Sequence, residues 1–266
     1  MKVGIGIVTY NRVDYLKSCI ESLFKTTHDG KLFSNLVIIS DADDATSEFL
    51  RNNERVCIIK NAKRQGYVRS FNATLEKLID LDSDIMFSVT DDVIFKESGW
   101  IQFYVDAIQK TGINYFVCMD GRNIVRRQVI NGVEISYHSW VHAPMVIITK
   151  KCFQEIGGYD PQFEVGCMDT EYADRSNLKG LNGQVLYELT KNMLYFEDYK
   201  WFNMGFCADV ENSRKYIFDR NHYIGEEDNR SYFPNERKGK AIELLQKKRV
   251  ELGLLPNELA KIIWNF

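Results

Sequence analysis

The first third of the chain repeats one pattern that restricts its fold: a short apolar run, a polar break, and then a stretch that suits a helix. The apolar runs cover residues 3–8, 36–39, 56–59 and 85–89, and the helical stretches cover residues 14–24, 46–50 and 67–79. Strands that alternate with helices imply a parallel sheet, and ligands of such sheets bind at the carboxyl ends of the strands. We therefore predict an α/β fold whose functional residues follow the apolar runs.

The fourth apolar run ends in two adjacent carboxylates, Asp91 and Asp92, and a second short run, Val93–Phe95, begins directly after them. Two neighbouring aspartates at the edge of an apolar core repel each other unless a cation or several hydrogen-bond donors lie between them. Hard oxygen ligands suit Mg²⁺ or Mn²⁺, which are usually held by one or two protein carboxylates together with substrate phosphates. The alternative is an exposed turn without function, since Asp is a common turn residue.

The order and spacing of several segments, which together span about two thirds of the chain, match the pattern of a known protein family. These segments are Ile7-Val8-Thr9-Tyr10-Asn11-Arg12, Asp41, Asn61 to Asn72 with Gly66, Thr90-Asp91-Asp92, and Gly157-Gly158-Tyr159-Asp160 leading to Asp169 and Arg175. Together they resemble the inverting, nucleotide-sugar-dependent glycosyltransferases of family 2, which have the GT-A fold. The resemblance implies a Rossmann-like, mostly parallel sheet flanked by helices.

The same resemblance gives the expected domain limits. Residues 1–200 would form the GT-A catalytic domain, with the nucleotide sugar bound by residues 1–95 and the acceptor by residues 96–200. Residues 201–266 would form a helical C-terminal extension packed on that domain, and the helical spacing of residues 238–252 agrees with this prediction.

The resemblance implies that Asp41 accepts a hydrogen bond from the base of the nucleotide, with Thr9, Asn11 and Arg12 lining the same pocket. A carboxylate in that place can accept the N3–H of a uracil or thymine ring. Asp41 also has a plain structural interpretation, as a turn residue or a helix cap ahead of Thr46.

Three further residues complete the predicted donor site: Arg64, Asn72 and Asp91. Arg64 lies in a loop next to a glycine and can form paired hydrogen bonds with a phosphate, although a solvated basic loop is the alternative interpretation. Asn72 ends a segment that resembles the family's donor-binding segment. Asp91 resembles the residue that contacts the ribose or the donor sugar.

By the same resemblance, Asp92 holds a divalent cation, Mn²⁺ or Mg²⁺, on the diphosphate. Such an ion is useful because breaking the bond from the sugar to the diphosphate puts negative charge on the leaving group. The family pattern often has a third acid after the pair, where this chain has Val93. We therefore expect Asp92 to be the main protein ligand, with the diphosphate and water completing the coordination.

The acceptor side is predicted from the glycine-rich turn at residues 157–163 and the acidic segment that follows it. In the family, an acid at the position of Asp169 is the general base, which removes the proton from the attacking sugar hydroxyl. Glu171 is the second choice and a candidate acceptor-binding residue. A structural alternative is that both acids stabilise a helix N-terminus against its macrodipole.

Trp140 and His142 are candidate acceptor-binding residues between the two motif regions. An aromatic ring can stack on a sugar, and the imidazole can contact the diphosphate or the acceptor. A lone His is more often a structural residue, so this assignment has a plain alternative. His138 and His142 have helical spacing, but residues 133–141 alternate like a strand, so we do not expect a zinc site.

Composition agrees with a soluble enzyme. The 266 residues with 45% hydrophobic content suit one α/β domain with an appendage, and a net charge of −3 gives no strong electrostatic signature. The cysteines are scattered without Cys-Xaa-Xaa-Cys spacing, which favours reduced thiols. Without a signal peptide or an apolar stretch that could span a bilayer, we expect a cytoplasmic enzyme, or one in the host cytoplasm if the chain is viral.

The sequence therefore predicts a metal-dependent hexosyltransferase that moves a sugar from a nucleoside diphosphate sugar, in the first instance a UDP-sugar, to a hydroxyl of a saccharide. Inversion by a single displacement follows from the family resemblance. One alternative is a viral or phage enzyme acting on hydroxymethylated or glycosylated DNA bases, which the basic residues Lys247, Lys248 and Arg249 would permit. Another is a non-catalytic module that binds nucleotide sugars.

A dehydrogenase is the third class that we considered. Gly4 and Gly6 suggest a dinucleotide-binding motif, but both lie inside the first apolar run and the third glycine of that motif is absent. The donor sugar, the oligomeric state and a further metal ligand are left open.

Overall fold

A computed structural model of the protein describes residues 1–42, 44–51, 53–118, 124–138, 143–164, 166–183, 207–219 and 235–254. The strands are β1 (Val3–Thr9), β2 (Asn35–Ser40), β3 (Cys57–Lys60), β4 (Ile85–Thr90), β5 (Val93–Phe95), β6 (Tyr115–Cys118), β7 (Ile124–Ile130), β8 (Val133–His138), β9 (Met145–Thr149), β10 (Cys207–Val210) and β11 (Ile217–Asp219). The helices are α1 (Val13–Thr26), α2 (Asp44–Leu50), α3 (Tyr67–Asp80), α4 (Trp100–Thr111), α5 (Lys150–Ile156), α6 (Met168–Leu178) and α7 (Asn235–Glu251).

A nine-stranded sheet in the order β3-β2-β1-β4-β9-β6-β10-β8-β7 forms the centre of the protein. All of its strands share one direction except β8 and β9, which run against their neighbours. Strands β5 and β11 form a separate antiparallel pair. The predicted α/β fold with a mostly parallel sheet is therefore confirmed.

Helices cover both faces of the sheet, as the continuous apolar runs in its parallel strands require. One hydrophobic core includes Leu23 of α1 and Trp100 of α4, and the other includes Phe71 of α3, Cys152 of α5 and Tyr172 of α6. The site described below lies where α3 and α6 reach the carboxyl edge of the parallel strands.

The two glycines of β1 are needed because α3 packs directly against this strand. A Cβ on Gly6 would lie 2.1 Å from Cγ2 of Thr74, and one on Gly4 would lie 2.5 Å from Oγ of Ser83. These glycines are thus strand residues that permit a close helix contact. They do not form a nucleotide-binding loop, which agrees with our rejection of a dehydrogenase.

The chain after residue 200 contributes to the sheet as well as to the expected helical extension. Strand β10 lies between β6 and β8, and β11 pairs with β5. Among the described residues of the predicted extension, the long helix is α7, which packs against α6. None of the helices in the described ranges is both long enough and apolar enough to cross a bilayer.

Candidate active site

The site lies at the carboxyl ends of β1, β2 and β4, which are neighbours in the sheet. Thr9 pairs with Ser40 of β2, and Val8 pairs with Thr90 of β4, so these three strands end at the same level. The chain enters polar loops at each of these ends, and the predicted donor-binding residues follow there.

Asp91 and Asp92 lie in the turn between β4 and β5, and both are buried, with 3% and 0% exposure. Oγ1 of Thr9 donates to Oδ2 of Asp91 at 2.8 Å. The guanidinium of Arg12 bridges the pair, because Nη1 donates to Oδ1 of Asp91 at 2.9 Å and Nη2 donates to Oδ2 of Asp92 at 3.0 Å. A cation of the protein therefore lies between the two carboxylates, which explains how both can be buried together.

One oxygen of this pair, Oδ1 of Asp92, is buried and has no hydrogen-bond partner within the part of the chain that the structure describes. A buried carboxylate oxygen without a partner is costly and suggests a missing ligand. In the same ranges, no group of three or more His, Cys, Asp or Glu side chains is placed to hold a metal ion. The carboxylates of the acid pair fit an ion such as Mg²⁺ or Mn²⁺, which takes one or two carboxylates and completes its coordination with phosphates and water.

The pKa of Asp91 is raised to about 7, mainly by burial and in part by the neighbouring negative charge of Asp92. The guanidinium of Arg12 and the hydroxyl of Thr9 oppose this shift, because both stabilise the ionised carboxylate. The ionised form of Asp91 is therefore costly in this buried place, and the nearby cation Arg12 offsets part of that cost.

Asp41, directly after β2, is buried and accepts three N–H bonds. Oδ1 accepts from the amide of Asn61 and the backbone of Gln65, both at 2.8 Å, and Oδ2 accepts from the backbone of Gly66 at 2.9 Å. The carboxylate thereby closes the loop between β3 and α3. An ionised carboxylate has about four acceptor positions, so these three contacts leave room for one donor from a ligand.

Arg64 and Asn11 lie at the entrance of the same region, and both are exposed. The guanidinium of Arg64 stacks on the ring of Tyr10, with 4.3 Å between its central carbon and the ring centroid. Asn11 has a left-handed backbone conformation with φ of 53°. Both residues therefore lie near the end of β1, beside Thr9 and Arg12.

Asp169 lies in the first turn of α6 and is half-buried. Asp169 is far from the acid pair in sequence, but all three carboxylates act on Tyr67. Burial raises the pKa of the Tyr67 hydroxyl, and the negative charges of Asp169, Asp92 and Asp91 raise it further, in that order. Asp169 and the acid pair are thus near enough to the Tyr67 hydroxyl to act on it electrostatically.

Glu171, the second candidate on α6, is 2% exposed and bound by Arg175. Nε and Nη2 of Arg175 donate to its two oxygens at 2.6 and 2.8 Å. Arg175 also donates to the carbonyl oxygens of Ile156 and Gly158. Glu171 therefore fastens α6 to the glycine-rich turn, and its carboxylate has little surface for an acceptor.

Asn72, predicted to bind the donor, pairs with the backbone of Tyr159. Its amide nitrogen donates to the carbonyl oxygen at 2.7 Å, and its amide oxygen accepts the backbone N–H at 2.8 Å. A Cβ on Gly158 would lie 2.3 Å from that amide oxygen, so this turn position requires glycine. Asn72 and the turn together fix α3 relative to the start of α6.

Trp140 and His142 lie outside the described residues. Two residues of the site were not singled out by the sequence: Tyr67, at the start of α3, and Asn61, directly after β3. Asn61 had a usable signal, because it is a polar residue in the polar stretch after an apolar run that predicts a strand. Tyr67 had none, since an aromatic at a helix start most often packs in a core.

A mostly parallel sheet with paired acids at a strand end and a third acid on a later helix agrees with the resemblance to the family 2 glycosyltransferases. The chain belongs to glycosyl transferase family 2, whose family model matches residues 5–162, more than half of the chain. It is accordingly a glycosyltransferase. The matched segment contains the donor-side motifs and the glycine-rich turn but ends before Asp169.

Relatives and solved structures agree with this assignment. The chain is 24% identical over 190 residues to the uncharacterized glycosyltransferase R363 of Acanthamoeba polyphaga mimivirus. The aligned residues make up 66% of this chain and 73% of the relative. It resembles the mannosyltransferase PcManGT of Pyrobaculum calidifontis, solved with GDP-Man and Mn²⁺, with a TM-score of 0.54 and 14% identity over 68% of this chain and 53% of that one. The chain thus spans about half the length of that structure.

The structure of S. aureus TarS 1-349 covers more of the chain. Its TM-score is 0.55 at 11% identity, over 97% of this chain and 82% of TarS. The same TarS fragment solved in complex with UDP has a TM-score of 0.50 at 14% identity, over 65% of this chain and 54% of that one. At these identities the likeness concerns the fold, which is the GT-A fold.

Proposed function

We propose that the protein transfers a sugar from a nucleoside diphosphate sugar, in the first instance a UDP-sugar, to a hydroxyl of a saccharide acceptor with inversion. The observation that carries the proposal is the buried pair Asp91 and Asp92 at the carboxyl end of β4, bridged by Arg12 and with Oδ1 of Asp92 lacking a partner among the described residues. Two solved neighbours of the same fold were obtained with a nucleotide or a nucleotide sugar, GDP-Man with Mn²⁺ in one and UDP in the other.

Asp92 is the proposed ligand of Mn²⁺ or Mg²⁺, through the oxygen Oδ1 that has no partner among the described residues. When bound, the ion supplies positive charge to the diphosphate leaving group. Arg12 and Thr9 hold the two carboxylates in fixed orientations, so no side chain has to reorganise as that charge develops.

Asp41 is the proposed acceptor of the N3–H of a uracil base, using its remaining acceptor position. Arg64, with Asn11 beside it, is the proposed contact of the diphosphate, because a guanidinium can form paired hydrogen bonds with phosphate oxygens and this one lies over the ring of Tyr10 at the end of β1. Asp91 is proposed to face the ribose or the sugar. Asn72 contributes indirectly in this proposal, by fixing the turn next to α6.

Asp169 is the proposed general base. As the acceptor hydroxyl attacks the anomeric carbon from the side opposite the diphosphate, a carboxylate oxygen of Asp169 takes its proton. One C–O bond forms, the bond to the diphosphate breaks, and the configuration inverts. The half-buried position of Asp169 suits this role better than that of Glu171, which is buried against Arg175.

A saccharide is preferred over DNA as the acceptor because part of the basic set on α7 is used inside the protein. Arg249 is 1% exposed and donates to Asp174 at 2.7 Å, and Lys248 pairs with Asp160 at 3.0 Å. Neither side chain is available for a phosphate backbone without breaking an ion pair. Trp140 and His142 stay proposed acceptor contacts.

The proposal is tested by nucleotide release from UDP-sugars and GDP-Man with Mn²⁺ or Mg²⁺, followed by NMR of the product formed on oligosaccharides or on hydroxymethylated DNA. We expect a β-linked product from an α-linked donor, loss of transfer in Asp169→Asn, and normal transfer in the control Asp14→Asn, whose side chain is 96% exposed. An α-linked product would contradict single displacement. Donor binding without nucleotide release would favour a non-catalytic module.

A further inference from the structure

Arg12 has a role beyond lining the donor pocket, because its guanidinium is the cation that both buried carboxylates contact. One terminal nitrogen binds Asp91 and the other binds Asp92. Its flat face lies over the ring of Tyr15, with 4.6 Å from the central carbon to the ring centroid. The side chain is 33% exposed, whereas those of Asp91 and Asp92 are 5% and 0% exposed. Arg12 therefore closes the pair from the solvent side.

The charges of this cluster decide when a metal ion can bind. The two carboxylates carry two negative charges when ionised, and the guanidinium cancels one of them. A divalent cation at Asp92 is then attracted by one net negative charge instead of two, because the nearby guanidinium repels it. A diphosphate adds negative charge and so strengthens the attraction for the ion.

We propose that Arg12 is a resident counter-cation that makes metal binding at Asp92 depend on the diphosphate. This inference rests on the proposed function, because it takes Asp92 as the metal ligand. On this inference the site holds a metal ion tightly only together with a donor. It also assigns to Arg12 a positioning role, since the guanidinium holds Oδ2 of Asp92 and leaves Oδ1 for the ion.

The test is Mn²⁺ binding followed by electron paramagnetic resonance and calorimetry, with and without UDP and without any transfer reaction. The variants are Arg12→Gln, which removes the charge, and Arg12→Lys, which keeps it. Arg55→Gln is the matched control, because Arg55 is a surface arginine paired with Asp29 and stacked on Phe24, away from the acids. Circular dichroism melting verifies the fold, and Arg12→Met, which keeps the side-chain stem over Tyr15, serves if the Gln variant does not fold.

We expect the wild type, Arg12→Lys and Arg55→Gln to bind Mn²⁺ weakly alone and much more tightly with UDP. The neutral variant should bind Mn²⁺ alone about tenfold more tightly or better, given the strength of nearby charge repulsion. Since coupling between two ligands is reciprocal, the enhancement by UDP should shrink in the same variant.

A folded neutral variant that binds Mn²⁺ alone no more tightly than the wild type would overturn the inference. Asp92→Ala separates this failure from a failure of the proposed function. If that variant loses UDP-dependent Mn²⁺ binding, the metal assignment stands and only the role of Arg12 is wrong. If Asp92→Ala binds Mn²⁺ with UDP as the wild type does, the metal assignment fails, and the inference about Arg12 fails with it.

Discussion

The ends of β2 and β4 both present buried aspartates to the same edge of the sheet, but the two carboxylates differ in how completely the protein satisfies them. Asp41 accepts three N–H bonds from one loop, whereas Asp92 has one buried oxygen with no partner among the described residues. The two acids of α6 differ in burial, because Glu171 is buried and bound by Arg175 whereas Asp169 is half-buried. A satisfied carboxylate shapes the site, and an unsatisfied one is suited to bind a ligand or a proton.

The largest effect is expected at the unsatisfied strand end. Asp92→Ala should abolish transfer and UDP-dependent Mn²⁺ binding, while the free energy of unfolding changes little, because removal of the unpaired buried Oδ1 offsets the loss of the ion pair with Arg12, which keeps Asp91 as a partner. Activity assays, calorimetry and urea unfolding measure these quantities. A strong loss of stability would show that the carboxylate supports the fold and that the contrast with Asp41 does not hold.

The next effect concerns the half-buried acid of α6. Asp169→Asn should lower kcat by about 10²–10⁴-fold, because the amide preserves the shape but cannot accept the hydroxyl proton. The affinity for UDP and Mn²⁺ should stay near that of the wild type. An equal loss of UDP affinity would place Asp169 in donor binding instead of proton transfer.

The satisfied partner on the same helix should behave in the opposite way. Glu171→Ala leaves the charge of Arg175 without its partner in a largely buried place, which should cost about 3 kcal/mol of unfolding free energy. The catalytic rate of the folded fraction should fall far less than in Asp169→Asn. If Glu171→Ala folds normally yet loses transfer as completely as Asp169→Asn, Glu171 is the better candidate for the base.

The smallest expected effect is at the satisfied strand end. Asp41→Ala leaves the donors of Asn61, Gln65 and Gly66 without an acceptor and should lower the free energy of unfolding by about 2 kcal/mol. UDP affinity should weaken by a similar amount if the remaining acceptor position serves the base. Lower stability with unchanged UDP affinity would mean that Asp41 only organises the loop.

The sequence predicted the parallel half of the fold well, because β1 to β4 are apolar runs separated by helices with clear periodicity. It also predicted the acid pair, since two aspartates directly after a buried strand are conspicuous. It could not predict the pairing of Asn72 with the backbone of Tyr159, which joins residues 87 positions apart. Likewise, the sequence around Arg249 suggests a solvent-exposed basic side chain, and only the packing of α7 on α6 gives it a buried partner.

The short strands of the second half were also beyond sequence analysis. Strand β10 has four residues and β11 has three, which is too few to establish an alternating pattern. For this reason residues 201–266 were predicted as a helical extension packed on the catalytic domain, although β10 is one of the inner strands of the sheet.

The inner position of β10 has a consequence for how the protein is made. On the ribosome, the strands on either side of it, β6 and β8, are synthesised well before residues 207–210 emerge. Until then both expose unpaired backbone edges, which are sites for pairing with other chains. A polypeptide that stops near residue 200 would keep these edges permanently, so we expect it to aggregate and not to accumulate as a smaller working enzyme.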